Sequence, residues 1–158
     1  MFRLPSRLTV LTLGARDLPS LRRFYRGLGW EEAPGSDDGW CGFLLGGVLL
    51  ALFPVDDLTA EAAPGSPRPA PGWSGVTLAC NLDRREDVDA AFRAAVAAGA
   101  EAVAEPADRE WGGRSAYIAD PEGNRWELAW ARTARFDARG ALVGFGEEQD
   151  GPPAAPGD

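Results

Sequence analysis

Hydrophobic residues recur along this chain with two periods. Leu8 to Leu13 is a dense run of Leu, Val and Thr, which predicts a strand. Leu18, Leu21, Phe24, Tyr25 and Leu28 then follow at helical spacing, with Asp17 as N-cap, Pro19 in the first turn and Gly29 as the stop. Short strands are predicted at Trp30–Ala33, Trp40–Leu45 and Val48–Phe53, separated by Gly-rich and acidic turns. Val55 to Gly72 has no apolar period and is rich in Pro, Ala, Asp and Gly, so it reads as a connector.

After the connector the order returns. A strand is predicted at Gly75–Ala79. A helix follows at Arg84–Ala98, entered through the D-x-x-E pattern Asp83 and Glu86, with Val88, Ala91, Phe92, Ala95 and Val96 on its apolar face and Gly99 at its end. A strand near Ala102–Ala104 leads to the run Trp111–Trp130. That run reads as a hairpin turning at Asp120-Pro121-Glu122-Gly123-Asn124, where Pro presets φ and Gly supplies a positive φ. Phe136–Val143 reads as one more small hairpin, turning at Arg139-Gly140.

The two halves share the order β-α-β-β-β. Residues repeat too: Val10–Leu13 reappears as Gly75–Leu78, and Gly47–Leu52 as Gly123–Leu128. The expected fold class is therefore α+β, with two tandem βαβββ modules forming a curved mixed sheet around a concave pocket. The expected organisation is a single domain over residues 1–144. Module one spans about 7–54, the connector about 55–73, module two about 74–131 and a C-terminal extension 132–144. Residues 145–158 are acidic and Gly/Pro-rich and read as a disordered tail.

Composition narrows the function. The chain has 158 residues, a formal net charge of −8 and no histidine; all its basic residues are arginine. The acidic balance argues against nucleic acid and anionic membranes as partners. A His base, a His metal ligand and a Lys Schiff base are excluded outright. Two cysteines make no disulfide framework, and no apolar run approaches the ~18 residues of a membrane span, so a cytoplasmic location is expected.

The combination of Arg16-Asp17-Leu18, Phe24-Tyr25, Gly29-Trp30, Trp111-Gly112-Gly113 and Asp120–Asn124 in a paired β-α-β-β-β layout resembles the vicinal oxygen chelate superfamily. That superfamily includes glyoxalase I, extradiol dioxygenases and bleomycin-binding resistance proteins. The resemblance covers Leu8 to Trp130. It implies a homodimer with pockets near the interface. In metal-using members four ligands come from the first and last strands of each module, and those positions fall here on Val10, Ala51, Gly75 and Glu127. Only Glu127 carries a donor, so neither a metal nor another cofactor is expected.

Strand alternation turns Glu127 and Ala129 toward the pocket, with Thr12 and Thr77 beside them, and turns Trp126, Leu128 and Trp130 toward the helices. A lone carboxylate in an apolar strand requires a partner or a role. Three readings of Glu127 stand: a relic paired with an arginine such as Arg114, a polar anchor for a ligand, or a general base. Trp40, Phe43 and Trp111 are candidates to stack on a planar ligand. The candidate ligand-binding set is thus Thr12, Trp40, Phe43, Thr77, Trp111, Arg114 and Glu127, with Glu127 also the candidate catalytic residue. The expected function is metal-independent small-molecule binding of the glyoxalase/bleomycin resistance type, sequestering an antibiotic or another aromatic metabolite. The ligand is expected to be neutral or cationic. The alternatives are a metal-independent lyase or isomerase with Glu127 as base, and a protein-interaction module.

Overall fold

The structure, a computed structural model, describes residues 3–146. The first half holds β1 (Val10–Ala15), α1 (Leu18–Gly27), β2 (Cys41–Leu45), β3 (Val48–Pro54) and α2 (Val55–Ala62). The second holds β4 (Thr77–Asn81), α3 (Asp87–Ala97), β5 (Glu101–Asp108), β6 (Arg114–Ala119) and β7 (Arg125–Trp130). A closing hairpin, β8 (Ala134–Phe136) and β9 (Leu142–Phe145), follows. The class is α+β, as the sequence predicts.

The strand order is β1-β3-β2 in the first sheet and β4-β7-β6-β5 in the second. Each sheet is mixed: its first and last strands lie parallel, and its hairpins antiparallel. The same winding therefore occurs twice. Glu127 matches Ala51 in this duplication. Thr12 faces Ala51, and Ala79 faces Glu127, so Thr12 corresponds to Ala79 rather than to Thr77, a slip of two residues that leaves the face assignments intact. The expected single sheet is two sheets here, because β1 and β4 are both edge strands and do not pair with each other.

The core lies where the packed faces of both sheets meet α1 and α3. Leu21, Tyr25, Phe43, Leu52, Val88 and Ile118 are fully buried there. Tyr25 joins the two halves. Its ring stacks on Trp30 at 5.4 Å and meets Trp126 edge-on at 6.0 Å. Its hydroxyl donates to Asp120 Oδ2 at 2.7 Å and accepts from Trp126 Nε1 at 3.0 Å. Asp120 is 3% exposed and also accepts from the Glu122 and Asn124 backbone amides and from Asn124 Nδ2. These bonds satisfy a buried carboxylate that would otherwise be costly. Gly123, at φ +88, lets the loop close so that Asp120 caps it. The same loop sends Glu122 across to α1, where its carboxylate accepts from the Arg16 and Asp17 amides at 2.8–2.9 Å. An acid at a helix N-terminus satisfies orphan N–H groups and the helix dipole together. The residues of R-D-L, F-Y and D-P-E-G-N thus meet at one clasp between the halves.

Several local expectations are revised. The connector contains α2. Val55 is buried against Gly14, Thr59 Oγ1 donates to the Val55 carbonyl at 2.7 Å, and Asp56 and Asp57 sit in the first turn, where the dipole favours acids. Docking on β1, rather than periodicity, makes this helix. The strand expected at Trp30–Ala33 is a single bridge from Glu32 to Phe43. Asp17 caps α1 by accepting from the Ser20 amide at 3.0 Å, but the Asp83–Glu86 capping pattern does not form. Arg84 instead pairs with Asp87 at 2.7 Å and draws the helix start forward to Asp87. Residue 145, expected in a disordered tail, ends β9, and residues 147–158 of that expected tail lie outside the described residues. Among the described residues no helix is long and apolar enough to cross a membrane.

Candidate functional site

Each sheet has one face packed on the core and one open face. On the open face of the second sheet β7 carries Glu127, and the ladder sets Tyr117 of β6 on one side of it and Ala79 of β4 on the other. The Tyr117 hydroxyl donates to Glu127 Oε1 at 3.0 Å. Arg109, just beyond β5, donates through Nε to Ser115 Oγ at 2.9 Å and through a second nitrogen to the Ser115 carbonyl at 3.2 Å. Its guanidinium carbon lies 5.7 Å from the centre of the Tyr117 ring. The four residues form one polar cluster on this face, with Arg125 two residues before Glu127 on β7 and Thr77 opposite Arg125. Burial pushes the Tyr117 hydroxyl above the usual phenol range, and the hydrogen bond to the Glu127 carboxylate pushes it further the same way. Tyr117 is therefore a neutral donor at physiological pH. It occupies Oε1 of Glu127, and among the described residues Oε2 accepts no hydrogen bond.

Trp111 borders this cluster. A Cβ on Gly113 would fall 1.6 Å from the Trp111 ring and 2.5 Å from the Trp130 carbonyl oxygen, so the indole lies directly on a backbone that only glycine permits. Gly113 shares the face of Ser115 and Tyr117 by alternation. Trp111 is 56% exposed there. Thr77 is exposed on the same sheet, one alternation step from Ala79.

The remaining candidates separate. Thr12 and Trp40 belong to the open face of the first sheet. The Trp40 ring covers Gly42, where a Cβ would meet it at 2.6 Å, and Gly42 pairs with Ala51 beside Thr12. Among the described residues no hydrogen bond or ring contact joins this face to the Glu127 cluster. Phe43 is not on an open face. It is fully buried among Tyr25 and Trp30, with centroids at 5.8 and 6.3 Å, and its ring contributes about 1.5–3 kcal/mol of burial to the core. Arg114 is not in the pocket either, nor is it the partner of Glu127. It sits on the packed side, forked onto Asp89 of α3 at 2.7 and 2.8 Å and reaching Asp108 at 3.1 Å. Arg114 holds Asp89 below the usual carboxylate range, and Arg85, followed by Arg114, does the same for Asp108. Tyr117 takes the place that Arg114 was expected to fill. Hairpin register would have found it: closing the turn with Ala119 and Arg125 puts Tyr117 opposite Glu127. Arg109 gives no comparable signal, because it lies in a loop.

The family-derived ligand positions also shift. Val10, Ala51 and Glu127 lie on open faces, but Gly75 precedes β4, and the residue opposite Glu127 is Ala79. Neither Gly75 nor Ala79 has a donor atom in its side chain. Among the described residues no group of three or more His, Cys, Asp or Glu is placed to hold a metal ion. One carboxylate bonded to a tyrosine does not fit a resident catalytic divalent ion.

A cavity of about 690 Å³ lies elsewhere, between the edge strands β1 and β4 on the packed side of the sheets.

Comparison with known proteins agrees with this architecture. The chain superposes on a glyoxalase-related enzyme from Fulvimarina pelagi with a TM-score of 0.81 and 26% identity, covering 89% of this chain and 99% of that one. A glyoxalase/bleomycin resistance protein/dioxygenase from Nocardioides gives a TM-score of 0.67 at 27% identity, covering 82% and 85%. Lactoylglutathione lyase from Agrobacterium tumefaciens gives 0.63 at 26%, covering 81% and 96%. No curated protein matches the chain by sequence. The family model of the Glyoxalase/Bleomycin resistance protein/Dioxygenase superfamily matches residues 7–128, and the chain belongs to that superfamily.

Proposed function

We propose that this protein binds a small molecule on the open face of its second sheet, without a metal, and that Glu127 is the polar anchor. The observation that carries this reading is the Tyr117–Glu127 hydrogen bond beside Arg109, with Trp111 at its border. A flat indole and a carboxylate with one open oxygen suit a planar ligand that presents a hydrogen-bond donor or a cationic amine. Sequestration of an antibiotic or another aromatic metabolite fits this chemistry. Exposed Val10 and Leu44, with Trp40 beside Gly42, form an apolar open face on the first sheet. We propose that the face is covered in a homodimer, where Thr12, Trp40 and Thr77 would complete the pocket.

The test is a tryptophan-fluorescence titration with paired aromatic amines and aromatic acids, in wild type and Glu127→Gln. Amines should quench and be recovered unchanged, and Glu127→Gln should weaken them by about tenfold, the equivalent of a charge-assisted hydrogen bond. Equal binding by both proteins would overturn the anchor role.

A second reading has its own observation in the same hydrogen bond. With Tyr117 as a neutral donor next to the carboxylate, Glu127 is arranged as a base and Tyr117 as the electrophilic helper of a lyase or isomerase. Recovery of a chemically altered compound, lost in Glu127→Gln while binding persists, would decide for it.

A further inference from the structure

At the cavity between β1 and β4 the core opens to solvent. Leu11, Trp30, Leu45, Leu78 and Cys80, the half-buried fringe of the core, all line it. A smaller space of about 220 Å³ lies beyond, between α1 and α3, and Trp30, Cys80 and Trp126 border both. These three side chains stand between the two spaces, and the Trp30 and Trp126 rings touch edge-on there at 5.3 Å. The larger cavity alone is in the volume range of small-molecule sites.

Its charge is unlike that of the rest of the molecule. No acidic residue lines the large cavity, although the chain carries a net charge of −8. The single charged residue on it is Arg7, at the outer end beside Leu8, and among the described residues no carboxylate pairs with its guanidinium. An apolar cavity whose one charged lining residue is an arginine at its mouth is complementary to a molecule with an apolar chain and an anionic head.

We propose that this cavity is a second ligand site, separate from the Glu127 face, and that it takes a carboxylate amphiphile with its head at Arg7 and its apolar tail against Leu11, Leu78 and Trp30.

Cys80 supplies the readout. Its half-buried thiol borders both spaces, while Cys41, the other cysteine, is fully buried. The full-length protein is treated with N-ethylmaleimide at mildly alkaline pH, because burial pushes both thiols up. Modification is followed by peptide mass spectrometry in the presence of decanoate, decanol or decylamine. Decanoate should slow Cys80 alkylation several-fold and outcompete decylamine. Arg7→Ala, at an exposed position that leaves the fold untouched, should weaken decanoate by about two- to fivefold and leave decanol unchanged. Glu127→Gln should leave the protection intact; that outcome is independent of whether the Glu127 face binds anything. Absence of protection by all three amphiphiles would overturn the site. Equal protection by decylamine, or no effect of Arg7→Ala, would overturn the anionic head. Protection that rises with protein concentration in the absence of amphiphile would assign the cavity to a second copy of the chain, and would overturn the proposal as well.

Discussion

Replacing Tyr25 by Phe removes one oxygen and leaves the ring in place. The stacking on Trp30 and the edge contact with Trp126 survive, so no cavity term enters. What is lost is polar and twofold. Asp120, nearly fully buried, loses a 2.7 Å donor, and the Trp126 indole N–H loses its acceptor. A hydrogen bond to a charged group contributes about 1.5–3 kcal/mol, and a buried donor left alone costs about 1–3 kcal/mol. Together they predict a loss of roughly 3–5 kcal/mol, a large part of the 5–15 kcal/mol typical of a folded domain. For a chain of this length that is a fall in Tm of roughly 10 °C. Urea unfolding followed by tryptophan fluorescence measures it, with an unchanged m-value showing that the endpoints are the same. A double-mutant cycle with Asp120→Asn isolates the pair, and a coupling above ~1 kcal/mol is expected. A loss under ~1 kcal/mol for Tyr25→Phe would refute the reasoning, because it would mean that water satisfies both groups.

Three further outcomes follow from the same geometry. The chain has two tyrosines, Tyr25 and Tyr117, both held above the usual phenol range. Ultraviolet titration should therefore find little phenolate near pH ~10, and Glu127→Gln should bring one tyrosine down; because each folded pKa lies above its unfolded value, the stability these groups add is present below pH ~10 and is lost as pH rises through the folded values. Asp56, Asp89, Asp108, Asp137 and Glu32 are held below the usual carboxylate range by arginine and backbone donors, so their contribution is present above pH ~4 and disappears as pH falls through the lowered values; acid unfolding curves read this directly. Gly113→Ala places a methyl into the Trp111 ring and the Trp130 carbonyl, so it should destabilise by more than ~1 kcal/mol and shift tryptophan emission, whereas Gly65→Ala, with open space around it, should leave the emission unchanged.

What the sequence made legible has a common cause. β1, α1, α3 and the β6–β7 hairpin announce themselves because each buries one regular stripe, and Glu127 stands out because it interrupts such a stripe. The misses arise where the deciding contact is distant. α2 has no apolar period because only Val55 and its neighbours touch β1. β2 is apolar on both faces, Cys41 and Phe43 inward and Leu44 outward, so alternation alone could not assign Phe43 to the core. Arg114 was drawn toward Glu127 because its real partner, Asp89, lies on a helix 25 residues earlier. Tyr117 was within reach of hairpin arithmetic, while Arg109 required the loop's path.

The Glu122 clasp has a consequence for how the molecule comes apart. Asp17 caps the first helix locally, but the two amides that lead into it are held by a residue more than a hundred positions later, so those bonds are lost once the 120–124 loop opens. A chain with the layout of two half-proteins is tied into one cooperative unit, and amide exchange at Arg16 and Asp17 should track that of β7 rather than that of β1. The entry to the helix that is written first is therefore secured only when that distant loop closes.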